Sequence, residues 1–190
     1  MLRLYNASIN YGYVSGIRQI TSPYFTERPS ASLPTLLVIH NISLPPNQYG
    51  NGFVEHLFSG QLDTTTHPYF STIEDLQVSC HFFLARDGKL VQFVSCDKSA
   101  WHAGESTFEG RNKCNDFSIG IEMEGTDEEA FTAIQYQILA QLTLLISRYY
   151  PIKNIVGHSD IAPERKTDPG PFFDWDQYTQ LMRKEGCEKD

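Results

Sequence analysis

An α/β fold, with a central mixed β-sheet flanked by helices in one domain over residues 1–190, is what this 190-residue chain predicts. Apolar runs with β-branched residues, such as Thr35–Ser43 (TLLVIHNIS), read as strands buried on both faces. Between residues 128 and 150 apolar side chains recur every third or fourth position, the signature of an amphipathic helix. Hydrophobic residues at 41% and charged residues at 20% match an ordinary packed protein and exclude disorder.

In chain order, residues 1–34 are broken up by Pro23, Pro29 and Pro34 and predict an irregular layer around one strand. Thr35–Ser43 is a strand that ends at His40. Leu44 to Thr72 mixes turn residues with a short helix near Phe53–Phe58, and its polar remainder reads as an insertion long enough to cover a cleft. VSCHFFLARDGKLVQFV predicts two strands joined at Arg86-Asp87-Gly88-Lys89, with the Asp-Gly pair supplying the positive φ angles of the turn. Phe117–Glu124 (FSIGIEME) is a further buried strand that ends in acids. The long helix then carries Phe131, Ile134, Ile138, Leu142, Leu145 and Tyr149 on its apolar stripe, with Thr126 or Asp127 as its cap and Pro151 as its stop. The segment NIVGH gives a short strand, and Asp174 to Lys184 a last helix before Gly186.

A net charge of -8 and a pI near 5.2 speak against a general nucleic-acid binder, which shows a basic stripe. The first twenty residues lack the roughly seven apolar residues in a row of a secretory signal, and no stretch approaches a membrane span, so a cytoplasmic location is expected. The cysteines at 80, 96, 114 and 187 form no C-x-x-C pair and read as small neutral thiols rather than zinc ligands or disulfides.

Three strands each deliver a polar residue near their C-terminal end: His40, Glu122 and His158. Ligands of such sheets collect outside the carboxyl ends of the strands, so these residues predict one shared site. The segment after His158 holds Asp160, Glu164, Arg165, Lys166 and Asp168 among Pro163, Pro169 and Pro171, which reads as a rigid, shaped loop. Two imidazoles and a carboxylate are the usual donors of catalytic zinc, which keeps a fourth position open; which acid of this loop completes the set stays open on the residues alone. His158-Ser159-Asp160 also matches the H-x-D opening of non-haem iron triads, but no histidine follows His158, and Asp160 reads better as a turn or cap residue. His56, His67 and His81 read as ordinary core or surface histidines; His102, in SAWHAGES, could line a pocket. Glu122 is the candidate catalytic carboxylate, and Glu124 is set aside as facing away from it.

The segments VIHNISLPP, WHAG, RNKCNDFSIGIEMEGTD and GHSDIAPERKTDPGPFFDW, in that order across residues 20 to 178, resemble the cytoplasmic anhydro-N-acetylmuramoyl-L-alanine amidases of the AmpD type. Those belong to the wider type-2 amidase and peptidoglycan-recognition-protein fold. The resemblance implies one Zn2+ per chain held by His40, His158 and Asp168, with Glu122 as catalytic carboxylate and Lys166 as oxyanion-stabilising base. The implied reaction is hydrolysis of the bond between the lactyl group of an anhydromuramoyl sugar and L-alanine, in peptidoglycan recycling that indirectly limits β-lactamase induction. Asn41, beside a ligand, Trp101 and His102 are candidate substrate contacts, and Arg111, Lys113 and Arg165 are the bases nearest the motifs that would offset the carboxylates of the stem peptide. The implied partner is the anhydromuropeptide itself, with no nucleic acid, membrane or obligate protein partner. Many relatives carry a tyrosine before the histidine of SCHFFL; Cys80 stands there instead, which leaves the proton transfer to Glu122. Relatives that bind muropeptides without cutting them, and exported wall amidases, are the competing readings; the complete ligand set with Glu122 and Lys166 favours the enzyme.

Overall fold

The computed structural model describes residues 3–29 and 32–187, with the side chain of Cys187 outside the description. The first strands are β1 (Ile9–Asn10), β2 (Tyr13–Val14), β3 (Arg18–Gln19) and β4 (Phe25–Glu27), followed by β5 (Leu36–Ile42), α1 (Phe53–Phe58), β6 (Phe82–Leu84), β7 (Leu90–Gln92), β8 (Lys98–Ala100), β9 (Thr107–Phe108) and β10 (Arg111–Asn112). Then come β11 (Ser118–Glu124), α2 (Ala133–Tyr149), β12 (Asn154–Gly157), α3 (His158–Ile161) and α4 (Trp175–Cys187). The central mixed sheet has the order β12-β5-β11-β6-β7-β3, with β12, β5, β11 and β6 parallel and β7 antiparallel to β6.

Side chains alternate across the sheet. Leu37, Ile39, Ile119, Ile121, Met123, Phe82 and Leu84 form one core with Ile138, Leu139, Leu142, Leu145 and Ile146 of α2 and Tyr178 of α4. The opposite face of β5 and β11 carries Leu36 and Val38 against Ala103, Cys114 and Phe117, and then the polar residues His40 and Glu122. Helix α1 packs Val54, Leu57 and Phe58 with Phe70 onto Phe83, Val91 and Phe93. The segment after Leu44 therefore seats on the sheet beside the polar residues, and it contains a 3-10 turn over Pro68–Ile73 where the sequence reads as loop.

Several expectations shift in detail. The N-terminal layer holds four short strands rather than one, and β3 joins the central sheet beside β7. Strands of two or three residues carry no alternation for a sequence reading to detect, and the turn between β1 and β2 is Tyr11-Gly12, both at positive φ, in place of the usual Asn-Gly. At Arg86–Lys89 only Gly88 has positive φ; Gly88 N–H donates to Ala85 O and Ala85 N–H to Lys89 O, a tight turn ending in a left-handed glycine rather than a two-residue mirror turn. Helix α2 starts later than its apolar pattern, because Phe131 packs against Phe173 from outside the helix and Thr132 is the cap. Thr132 and Gln135 satisfy each other's backbone N–H groups, a capping box that Thr126 and Asp127 lie too far upstream to make. Tyr149 is exposed and Ile146 takes its place on the inner face. Pro151 follows the end of α2 as expected, whereas α4 continues through Gly186. Cys80, Cys96 and Cys114 are free and buried, and burial pushes each thiol up, so all three are neutral.

The Thr132 hydroxyl also donates to Arg86 O, tying the helix start to the turn between β6 and β7. Thr132→Ala is expected to lower stability by about 1–2 kcal/mol, the upper part of the range for a lost cap, in urea denaturation with an unchanged slope.

Candidate functional site

The register of the parallel strands assembles the site. His40 on β5 pairs with Glu122 on β11, and Gly157 on β12 pairs with Ile39, which sets the next residue, His158, level with His40. His158 opens α3, whose Asp160 accepts from Gly157 N–H at 2.7 Å and so closes the turn. Asp160 is thus a cap, as its position suggests, and Asp168 is the acid that reaches the histidines. Ser159 N–H donates to Asp168 O, which binds the far end of the loop back to α3.

His40 Nδ1 lies 3.0 Å from His158 Nδ1 and 3.0 Å from Asp168 Oδ2, and His158 Nδ1 lies 3.1 Å from the same oxygen. These three atoms fit a metal by their chemistry. His158 Nε2 sits 3.0 Å from Ala103 O, an acceptor only, so Nε2 carries the ring proton and Nδ1 of the neutral ring is a bare lone pair. That nitrogen, the Nδ1 of His40 and a carboxylate oxygen converge where a single cation would satisfy all three. Tetrahedral zinc with bonds of about 2.1 Å separates its donors by about 3.4 Å, within roughly 0.4 Å of the distances observed.

The electrostatics agree with that arrangement. Burial pushes His40 down to about 4, outweighing the opposing pull of Asp168. Burial works against the Asp168 charge too, but contact with His158 and His40 overrides it and holds the carboxyl well below the usual carboxylate range. Glu122 is 8% exposed; burial first, and then the Asp168 charge, push its carboxyl well above the ordinary value, while Lys166 pulls the other way. Its Oε1 is 4.0 Å from His40 Nδ1, and its Oε2 has no hydrogen-bond partner among the described residues. Glu124, two residues on, does not face away: positions two apart share a sheet face. What separates the two acids is that Glu124 accepts from Gly50 N–H at 2.6 Å and Arg86 N–H at 3.0 Å, so both its oxygens are occupied by backbone.

An open cavity of about 480 Å³ adjoins these three donors, lined by Asn41, Asn47, Asp127, Arg165, Lys166 and Asp168 among others. Lys166 makes no ion pair among the described residues, whereas Asn41 donates both to Asp127 Oδ1 and to Pro169 O, pinning two loops to β5. Arg165 donates to Ala103 O and Glu105 O, each at 2.7 Å. His102 is buried behind His40 rather than in the cavity: His40 Nε2 is 2.9 Å from His102 Nδ1, and His102 Nε2 is 3.0 Å from Ser118 Oγ. Trp101, Arg111 and Lys113 do not line the cavity. Trp101 stacks on Tyr24, and Arg111 lies over the Phe117 ring at 3.9 Å beside Leu36 and Asn154, where the parallel strands begin. Lys113 caps a 3-10 turn in a left-handed conformation. Asn115 escaped the sequence reading: its Oδ1 accepts from His102 N–H and Ala103 N–H, and nothing local in CNDF signals that use.

Fold and site together define an α/β protein with a three-donor pocket for a metal and an unpartnered carboxyl beside it. The family described as N-acetylmuramoyl-L-alanine amidase matches residues 30–171, and the chain belongs to that family. It is 51% identical over 179 residues, 93% of this chain and 98% of the relative, to the 1,6-anhydro-N-acetylmuramyl-L-alanine amidase AmpD of Escherichia coli strain K12. The crystal structure of a selenomethionine AmpD is similar with a TM-score of 0.89 at 51% identity, covering 91% of this chain and 98% of that one. The amidase AmiD of E. coli, solved in complex with anhydro-N-acetylmuramic acid-L-Ala-D-γ-Glu-L-Lys, is similar with a TM-score of 0.58 at 32% identity, covering 92% of this chain and 65% of that one.

The different duties of the two loop acids are open to measurement. Asp168→Asn is expected to lower zinc affinity by at least about tenfold, because a neutral amide replaces an anionic donor, while Asp160→Asn keeps the metal and loses only local stability. Elemental analysis after dialysis separates them; equal zinc retention by both variants would remove Asp168 from the ligand set.

Proposed function

We propose that this chain hydrolyses the amide bond between the lactyl group of 1,6-anhydro-N-acetylmuramic acid and L-alanine of the stem peptide, using one zinc ion at His40, His158 and Asp168. The observation that carries this reading is the closed triangle of two imidazole nitrogens and a carboxylate oxygen, with the buried Glu122 carboxyl at its side and one of its oxygens unpartnered among the described residues. Near-full-length identity to an enzyme named for that reaction, and the anhydromuropeptide bound by AmiD, support the choice of bond and substrate.

Zinc, when bound, supplies a Lewis acid and brings the ionisation of water toward neutral pH. The protein's own groups move the protons and position the substrate. Glu122 has one oxygen directed at the ligands and one without a partner, and burial raises its proton affinity. Such a carboxyl takes the proton of the attacking water and then passes it to the departing amine of alanine. Lys166 stands on the cavity rim, close enough for its charge to act on both Glu122 and His40, and its ammonium offsets the negative charge that develops on the carbonyl oxygen. Asn41 and Arg165 hold the cavity walls, and Arg165 and Lys166 counter the acids Asp127, Glu128 and Asp168 around a substrate that itself carries carboxylates. On this reading the chain acts in the recycling of wall fragments in the cytoplasm, with the muropeptide as its substrate and no protein partner needed for the reaction. In a cell that regulates a β-lactamase through recycled muropeptides, its loss raises that β-lactamase.

Purified protein incubated with anhydromuropeptide is expected to release free stem peptide, to stop doing so after chelation, and to resume on addition of zinc. Intact substrate by mass spectrometry after zinc reloading would refute the proposal. Within that assay, Glu122→Gln is expected to retain zinc and lose at least about a hundredfold in turnover, since an amide cannot accept the proton. Lys166→Ala is expected to retain zinc and turn over about a hundredfold more slowly, the usual cost of one oxyanion partner.

A further inference from the structure

His40 and His158 both offer Nδ1 to the metal position, but their far nitrogens are held differently. The Nε2–H of His158 faces a carbonyl, Ala103 O, so its tautomer is imposed by an acceptor that cannot donate. The Nε2 of His40 faces the Nδ1 of another imidazole, His102, at 2.9 Å, and either ring could donate across that contact. Only one direction leaves His40 Nδ1 bare: His40 Nε2–H donates to His102 Nδ1, and His102 Nε2–H donates to Ser118 Oγ at 3.0 Å. In the reverse direction the His40 proton sits on Nδ1, pointing at Asp168 and closing the pocket to a cation.

We infer that His102 is a positioning residue of the metal site, which fixes His40 in its Nε2–H tautomer and thereby keeps the metal-facing lone pair free; the inference rests on the metal reading of the site given above. The ring of His102 is buried and fixed in place, with His81 packed edge-on against it. Its ring lies flat against Gly120, the residue of β11 two before Glu122, where a Cβ would come within 2.4 Å of the ring. Its backbone N–H is held by Asn115 Oδ1, as is that of Ala103. The same Ala103 presents the carbonyl that orients His158, and Arg165, on the loop that brings Asp168, donates to that carbonyl and to Glu105 O on either side of Gly104. One stretch, His102 to Glu105, therefore touches the supports of all three metal donors. Only its His102 link can run in two directions, so that link decides whether the site is open.

The test uses the full chain and measures zinc directly by competition with a chromophoric chelator, alongside long-range 15N–1H NMR of the histidine rings. His102→Leu fills the space but removes the acceptor; zinc affinity is expected to fall by roughly ten- to a hundredfold, and His40 to populate the Nδ1–H form in the metal-free protein. His102→Asn places its Oδ1 as many bonds from Cβ as the imidazole Nδ1, so it is expected to recover most of the affinity and the Nε2–H signal of His40. Should His102→Leu not fold, Ser118→Ala, which removes the acceptor of His102 Nε2–H, is expected to weaken zinc by a few-fold and to mix the His102 tautomers. Wild-type protein that binds no zinc would overturn the metal reading itself. Wild-type protein that binds zinc while His102→Leu, or Ser118→Ala in its place, binds it equally well, or His102→Asn that fails to recover what His102→Leu loses, would overturn the role of His102 alone.

Discussion

The in-register parallel pairing of β12, β5 and β11 is the constraint on which the rest of the site depends. It sets Glu122 opposite His40 and brings His158 level with them, in a row crossing three strands spaced about 4.8 Å apart. That row falls on the face away from α2 because the intervening residues Leu37, Ile39, Ile119, Ile121 and Met123 are claimed by the helical core. A slip of one residue would turn His40 into that core and an aliphatic side chain into the site, so hydrophobic burial on one face enforces polar geometry on the other. The distances among the metal donors are thus consequences of packing far from any ligand.

A row of buried polar groups is costly unless each finds a partner. Most do: the imidazoles are met by Ala103 O, His102 and Ser118, and Glu124 by two backbone N–H groups. Glu122 is the exception among the buried acids described, with one oxygen left over. Desolvation makes its charged form expensive, and that same cost makes it a group that holds a proton readily, so local instability and chemical use have one origin. Cys80, the neutral thiol next along, adds no competing acid there, since burial and the nearby Glu122 both keep it protonated.

The loops around the row are more tied than their charge suggests. Arg165 spends its guanidinium on carbonyls of the segment that follows Trp101, and Asn41 spends its amide on Asp127 and Pro169. Asn41 and Arg165 thus line the cavity and tie its walls together at once, and Lys166 is a cation of the rim with no ion pair among the described residues. Glycines at 104, 120 and 157 make these close approaches possible: each faces a side chain that a Cβ would crowd, the guanidinium of Arg165, the ring of His102 and the ring of Pro169.

By itself the sequence determined the buried strands, the long helix, the short helix at 53–58 and the meeting of His40, Glu122 and His158, because each of these is written in hydrophobic periodicity with a polar residue near a strand end. Asp168 could be chosen over Asp160 and Glu164 only by resemblance, since the three acids lie within nine residues of one loop and periodicity says nothing about a loop's path. Tertiary structure alone decided the rest. The four short N-terminal strands exist through pairing rather than alternation, and Thr132 caps α2 because Phe131 is drawn to Phe173. His102 was visible as a residue of WHAG, but its place behind His40 depends on β11 presenting Gly120 at one point of the sheet, a coincidence of two segments distant in sequence. Hydrogen bonds between distant loops are set by where packed strands bring them, and no local pattern of residues encodes that.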